Sequence, residues 1–360
     1  MVRYFYKIVI YILLITTHSH CQMNKELPEF RTEISEPNQK YEVTPILDQI
    51  KTLEGVSAGL PYGSTSGEWG NSGKSWTAQQ GTPIGFDITY YARYEDKYYK
   101  INQDFDLEFI KKMTNRCYPT TDNGEEPAKE FISLDDYNSD FERYRYTYQP
   151  FSNLVFGFAP KGMVVVWMTY SFVSFEVGRF QAKEITDAQE IMKVKKIYMD
   201  KYRIHPERYE EAKKELHMED ASPDLWDNYR IKYNWKHKII SENKGARIFE
   251  LGNEYFNGEY EVMFGPLVAN PNNKKRTVPE VIHLFWETGK NERYISRIFF
   301  DWKKTNELLK NSGIDDNFFN IKIKEDNSQV TIDLNGKPIE VDSIRIYPNS
   351  HMRFRDSYEE

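Results

Sequence analysis

The chain has 360 residues, 15% aromatic side chains, two cysteines and a formal net charge of −7. This length allows one large or two modest domains with a sizeable apolar core. A mildly acidic chain without a basic block argues against nucleic acid and anionic lipid as partners.

Residues 1–21 are predicted to be an export signal. They combine two early cations, Arg3 and Lys7, with an unbroken apolar run from Ile8 to Ile15. The run is too short to cross a bilayer, which takes about 20 apolar residues. We therefore expect an exported, periplasmic protein, whose formal charge changes from −7 to −9 when both cations leave with the leader.

Two processing routes stay open at Cys21. Lipidation of Cys21 would anchor the protein to the outer or inner membrane, although His18 and His20 stand where a lipobox has an aliphatic and a small residue. Cleavage after Cys21 would instead use Ser19 and Cys21 as the small residues and leave Gln22 as the new terminus. Only a lipid anchor would bring the mature chain to a membrane.

Residues 22–40 are polar with two prolines, which predicts a flexible tether. Residues 41–186 are predicted to form a β-rich N-terminal half, because short apolar or alternating runs are separated by turn residues. The clearest hairpin is LVFGFAPKGMVVVWM, which turns at Pro160 to Gly162. Its second arm, Met163–Met168, is apolar on both faces and is predicted to be a central buried strand.

Residues 187–220 are dense in lysine and glutamate, with apolar residues at helical spacing. They predict two helices that are separated at His205-Pro206, since proline suits a first helical turn. Residues 221–348 are predicted to form a C-terminal β-rich half, and residues 349–360 a polar tail. The expected fold class is α+β, mostly antiparallel sheet, in two related halves joined by the helical segment.

The two halves share a pattern of strand, turn, strand and helix. It runs through FDITYYARYEDKYYKINQDFDLEFIKKM in the first half and IHLFWETGKNERYISRIFFDWKKTNELLK in the second. Two further strand candidates follow each copy. Either the chain contains an internal duplication, or two common units are alike by chance.

The glycine-rich loop Gly63–Trp76 ends in Gly-Lys-Ser but lacks the spacing of a phosphate-binding loop. We therefore expect an exposed loop between strands. Its Trp69 and Trp76 are candidate contacts for a partner or a sugar, unless they fold back on the core.

The turn Glu95-Asp96-Lys97 is a second candidate contact site. Tyrosines crowd around it, and we take Tyr94, Glu95 and Lys97 as binding candidates. Such a cluster indicates either a carbohydrate or protein contact face, or cross-strand tyrosine pairs that stabilise a sheet.

Motifs for catalysis and metal binding are not found in the sequence. The nearest approach to a serine-nucleophile turn has Thr65 at its centre, and the histidines beyond the leader lack metal-ligand spacing. Cys117 has no nearby ligand partner and no second cysteine beyond the leader to form a disulfide. We expect no catalytic residue, no metal and no cofactor.

The sequence resembles an uncharacterised bacterial lipoprotein family, the domain of unknown function numbered 2931. The resemblance rests on the GEWGNSG loop, the turn from Glu95 to Tyr99, the hairpin from Gly157 to Trp167 and the strand from Glu176 to Ala182. It covers residues 41–182, with a looser match through the second half. It implies an envelope protein without established catalytic residues. Because genes of this kind often lie beside type VI secretion effectors, it also implies an immunity role against a toxin delivered into the periplasm.

Three functions follow as hypotheses. The leading one is a non-enzymatic immunity lipoprotein that occludes a secreted effector, with the net negative charge steering a basic toxin. The alternative is a glycan-binding accessory lipoprotein that uses exposed Trp69, Trp76 and tyrosines. The third is an enzyme of unrecognised type.

Overall fold

The computed structural model describes residues 27–71, 75, 78–122, 127–290 and 292–357. The predicted leader, Cys21 and Trp76 lie outside the described residues. Within the described part of the chain, no helix is both long and apolar enough to cross a membrane.

The N-terminal half contains the strands β1 (Glu29–Ser35), β2 (Val43–Thr52), β3 (Gln79–Gln80), β4 (Pro83–Ala92), β5 (Lys97–Asp104), β6 (Arg116–Pro119), β7 (Ile132–Ser133), β8 (Tyr148–Pro150), β9 (Asn153–Ala159), β10 (Met163–Tyr170), β11 (Val173–Gln181) and β12 (Lys183–Glu184). The C-terminal half contains β13 (Tyr233–Ser241), β14 (Arg247–Tyr255), β15 (Tyr260–Phe264), β16 (Lys275–Arg276), β17 (Pro279–Glu287), β18 (Arg293–Phe299), β19 (Asn317–Ile323), β20 (Val330–Leu334), β21 (Lys337–Pro338) and β22 (Ser343–Pro348). The helices are α1 (Leu107–Thr114), α2 (Leu134–Ser139), α3 (Phe141–Tyr144), α4 (Ala188–Tyr202), α5 (Pro206–Leu216), α6 (Asp224–Asn228), α7 (Pro266–Ala269) and α8 (Trp302–Lys310), with short 3₁₀ helices at Gln39–Tyr41 and Arg93–Glu95.

The described strands form four sheets. The largest has the order β22-β18-β17-β14-β15-β11-β10-β9-β1-β3, and the others are β12-β5-β4-β2, β16-β13-β19-β20-β21 and β7-β6-β8. Neighbouring strands in them are antiparallel apart from β1 beside β9 and β13 beside β19. The fold is therefore α+β with mostly antiparallel sheet, as predicted.

The two halves have the same topology. In the N-terminal half, β2, β4 and β5 form an antiparallel meander, α1 follows, and β9 then lies parallel to β1 and antiparallel to β10. In the C-terminal half, β14, β17 and β18 form the meander, α8 follows, and β19 lies parallel to β13 and antiparallel to β20. The two related halves are confirmed.

Local contacts repeat as well. The Phe105 N–H donates to the Ile84 carbonyl at 2.9 Å, and the Phe300 N–H donates to the Glu280 carbonyl at 2.9 Å. In both halves the next residue is an aspartate whose side chain caps the following helix. The shared spacing therefore reflects shared structure rather than chance.

A continuous sheet joins the halves. β11 pairs with β15 through Ser174 and Tyr260, so the ten-stranded sheet takes five strands from each half. The predicted hairpin lies within this sheet, where Met163–Met168 are fully buried in β10 between β9 and β11. The predicted central buried strand is confirmed.

The helical segment is also confirmed as two helices. α4 begins after Asp187, whose side chain accepts from the Glu190 N–H, and Pro206 occupies the first turn of α5. Val194, Tyr198 and Tyr209 from these helices pack in one apolar cluster with the tyrosines of β4 and β5.

Parts of the predicted flexible tether and of the predicted polar tail pack on the core. Residues 29–35 of the predicted tether form β1, where Phe30 and Ile34 are buried in the core. In the predicted polar tail, Phe354 is 1% exposed and stacks on Phe264 at 4.3 Å between ring centroids. The prediction of a flexible tether was wrong for residues 29–35, because their apolar side chains gain burial from distant strands.

Candidate functional site

A polar cleft of about 570 Å³ surrounds the predicted Glu95-Lys97 turn. Four segments meet there: the start of β5, the β9–β10 turn, the end of β11 with β12, and the chain after α5. The cleft is lined by Glu95, Lys97, Tyr99, Lys161, Gln181, Ala182, Glu184, His217, Met218, Glu219 and Ala221.

The β9–β10 turn is held closely against the end of β11. Gly162 has φ +79°, and a Cβ added to it would lie 2.7 Å from the Ala182 carbonyl oxygen. The Ala182 N–H donates to the Gly162 carbonyl at 2.8 Å, and Gln181 Nε2 donates to the Lys161 carbonyl at 2.6 Å. Glycine is therefore required at this position.

Glu95 connects two of the four segments. It ends the 3₁₀ helix Arg93–Glu95, and its Oε1 accepts from the Lys161 N–H at 2.9 Å. Burial raises the pKa of Glu95, while the hydrogen bonds from the Lys161 backbone and from Tyr99 act in the opposite direction. Its carboxylate therefore positions the turn that carries Lys161.

Lys97 and Lys161 bring cations to the cleft. Lys97 Nζ lies 2.8 Å from Glu184 Oε2, in a pair whose side chains are both about two-fifths exposed. Such a pair contributes at most about 1 kcal/mol, so a partner can displace it. Lys161 is exposed at the turn and has no side-chain partner within the described part of the chain. The cleft thus presents both signs of charge to solvent.

Tyr94 does not belong to this surface, which corrects its prediction as a binding residue. Its side chain is 1% exposed and packs edge-on against Tyr41 at 5.2 Å. The neighbouring tyrosines are also buried, and they stack across β4 and β5 as the pairs Tyr90–Tyr99 and Tyr91–Tyr98. The cluster is therefore made of cross-strand pairs, the second of the two interpretations.

Trp69 also folds back on the core. Its ring lies edge-on to Trp167 at 5.1 Å and 6.2 Å from Trp226. A Cβ on Gly157 would lie 2.8 Å from the Trp69 ring. Glycine at this position therefore leaves the room that the indole occupies. Of the two interpretations of Trp69, the structure therefore shows the one in which the indole packs back on the core, where it is half-buried.

Sequence reasoning missed most of the cleft lining. Lys161, Glu184 and His217 come from segments far apart in the chain, and they were not predicted as site residues. The turn Pro160-Lys161-Gly162 was recognised as a hairpin, and its solvent-facing lysine was the one available signal.

Metal and thiol chemistry find little support in the described residues. Within that part of the chain, no group of three or more His, Cys, Asp or Glu side chains could hold a metal ion. Burial raises the pKa of Cys117 to about 12, which keeps it a thiol near neutral pH.

Comparisons with known proteins identify one family. The family model described as "Protein of unknown function (DUF2931)" matches residues 16–223. No curated protein and no solved structure matches the chain. The match spans more than half of the sequence and includes every residue that lines the cleft. The chain therefore belongs to the DUF2931 family, and its polar cleft is built from the family-matched part.

Proposed function

We propose that this protein is a non-enzymatic immunity protein of the cell envelope, which binds and blocks a secreted effector in the periplasm. The observation that supports this proposal is the cleft of both charge signs, assembled within the family-matched region. The sequence of residues 1–21 supports export.

The cleft suits recognition of a protruding polar segment of another protein. Its ion pair of Lys97 and Glu184 is half-exposed, and Lys161 and His217 in its lining are both exposed. A partner that supplies complementary charges would gain specificity and association rate from them. Blocking is then steric, since a cleft-bound segment of the effector would be unavailable to its own substrate.

The glycan-binding alternative loses part of its basis. It needs exposed aromatic rings, whereas Trp69 packs on Trp167 and Tyr94 is buried. We therefore favour a protein partner.

Capture and growth assays test the proposal together. The mature chain from Gln22 is used as bait for secreted proteins of the native organism, and the captured effector is then expressed in the periplasm of a sensitive host. Wild-type protein is expected to bind the effector and to restore growth. The variant Lys97→Glu/Lys161→Glu is expected to lose both properties.

The matched control is Lys303→Glu/Lys310→Glu, which makes the same charge change on exposed positions of α8. It should behave as wild type. Equal protection by the cleft variant, or capture of no secreted protein, would reject the proposal.

Lipid anchoring is proposed through Cys21 and is tested separately. Metabolic labelling with a palmitate analogue should mark the wild-type chain and not Cys21→Ser, and the variant should move from the membrane fraction to the soluble periplasm. Labelling of neither chain would indicate cleavage after Cys21.

A further inference from the structure

Two arginines lie directly opposite each other on the C-terminal half of the large sheet. Arg297 on β18 is the register partner of Arg345 on β22, and both side chains are exposed. Like charges at directly opposite positions destabilise a sheet. Within the residues that the structure describes, neither guanidinium has an ion pair or a side-chain hydrogen bond, and each lies near an aromatic ring instead. The arrangement therefore leaves two cations without an acidic partner on neighbouring strands.

The two guanidinium groups lie over different aromatic rings. The Arg297 guanidinium carbon lies 5.6 Å from the ring centroid of Tyr347, and that of Arg345 lies 5.0 Å from the ring centroid of Phe299. These rings lie at opposite ends of the pair along the strands. Each guanidinium is thus supported by an aromatic ring while its charge stays exposed to solvent.

An acidic side chain on a neighbouring part of the sheet, Glu254, is already engaged. His283 is the register partner of Arg297 on β17, and its Nε2 lies 3.0 Å from Glu254 Oε1. Glu254 therefore pairs with His283 rather than with an arginine. The arginine pair is therefore left open to the carboxylates of another molecule.

We infer that this face docks an acidic segment of a protein partner, whose carboxylates bind Arg297 and Arg345. Guanidinium groups bind carboxylates through paired, charge-assisted hydrogen bonds. Exposed arginine together with aromatic side chains, here with Tyr347 at 40% exposure, is the composition found at the centres of protein interfaces.

A protein segment fits this face better than an anionic membrane does. Glu254, which pairs with His283, is 45% exposed, and the chain is acidic overall. Both features would repel a dense layer of phosphates, whereas a protein can place single carboxylates on the arginines and apolar side chains on the rings. The surface lies beyond residues 16–223, so it is independent of the cleft and of the function proposed for it.

Fluorescence anisotropy with the whole mature chain tests the inference. The probe is a short labelled peptide of alternating glutamate and leucine, and its glutamine counterpart is the control peptide. Wild-type protein is expected to bind the glutamate peptide, and Arg297→Gln/Arg345→Gln to bind it about tenfold or more weakly. Arg31→Gln is the matched control, because it removes an exposed strand arginine from β1.

Each outcome of the binding assay either supports or contradicts the docking of an acidic segment on Arg297 and Arg345. Loss of binding in the double variant alone supports the docking surface, provided that its circular dichroism spectrum matches wild type. Equal binding by both proteins, equal binding of the glutamine peptide, or no binding of either peptide would overturn the inference. Binding of phosphatidylglycerol vesicles in preference to the peptide, lost in the double variant, would assign the arginines to a membrane surface instead.

Discussion

Gly70 and Gly258 meet backbone to backbone where the two halves of the protein join. A Cβ built on Gly70 would lie 2.7 Å from the Cα of Gly258, and both residues have positive φ. Beside them, Trp167 Nε1 donates to the Asn257 carbonyl at 3.1 Å. The glycine-rich loop, which lacks the spacing of a phosphate-binding loop, therefore packs directly against the C-terminal half.

Gly70→Ala is expected to destabilise the protein. The new methyl group would meet the Gly258 backbone, which cannot move as a flexible side chain could, and alanine is also strained at φ +79°. We expect a loss of about 2–4 kcal/mol in the free energy of unfolding, measured by urea denaturation. Gly55→Ala is the control, since φ is +74° there but no atom lies within 4 Å of the new Cβ. It should cost only about 1–2 kcal/mol, and equal losses would show that the contact is unimportant.

Trp69→Ala is expected to act on stability rather than on ligand binding. Removing the indole would leave a cavity against Trp167 and Trp226, with an expected cost of about 3 kcal/mol. Tyr146→Ala, at a 68% exposed ring, should change stability by less than about 0.5 kcal/mol. Unchanged stability with loss of oligosaccharide binding on an array would revive the glycan hypothesis.

Arg353→Met is expected to leave a buried carboxylate without its counter-ion. Glu250 is 0% exposed and pairs with Arg353 from the C-terminal segment. Breaking such a pair is expected to lower the free energy of unfolding by about 3–5 kcal/mol near neutral pH. The double variant Glu250→Gln/Arg353→Met removes both charges, so it should recover much of the loss.

This destabilisation should depend on pH. Burial raises the pKa of Glu250, and the loss of Arg353 would raise it further. The folded state then binds a proton more readily than the unfolded state, so stability falls as pH rises from the unfolded pKa through the folded one. The destabilisation by Arg353→Met should be smaller at pH 4 than at pH 8. A pH-independent loss would contradict this account.

His237 is expected to contribute to acid sensitivity. Burial lowers its pKa from 6.5 to about 3, so it stays neutral in the folded protein while it gains a proton in the unfolded chain. Stability should therefore fall as pH drops below 6.5, by about 1.4 kcal/mol per pH unit. His237→Phe removes this titrating group, which lies beside Trp235. Between pH 7 and pH 5, the free energy of unfolding of the variant should therefore fall by about 2 kcal/mol less than that of wild type. Parallel stability curves for the two proteins would exclude the role.

Local patterns in the sequence determined several elements of the fold. The run Met163–Met168 is apolar on both faces, and such a run is satisfied only in a strand that is covered on both sides. Asp187 and Pro206 mark helix starts through contacts within a single turn. The repeated spacing before Phe105 and Phe300 indicated the duplicated topology for the same reason, because strand, turn and helix signals are local.

Only the tertiary structure decided where the remaining segments and the candidate sites lie. Phe30 and Phe354 stand in polar sequence, and they gain burial from residues far away in the chain, Phe30 by stacking on Phe151 and Phe354 by stacking on Phe264. The cleft unites Glu95 with Lys161 and His217, while Arg297 and Arg345 meet through strand pairing. Side-chain direction and long-range pairing depend on the whole core, and for that reason the sequence indicated which residues carry charge but not which of them meet.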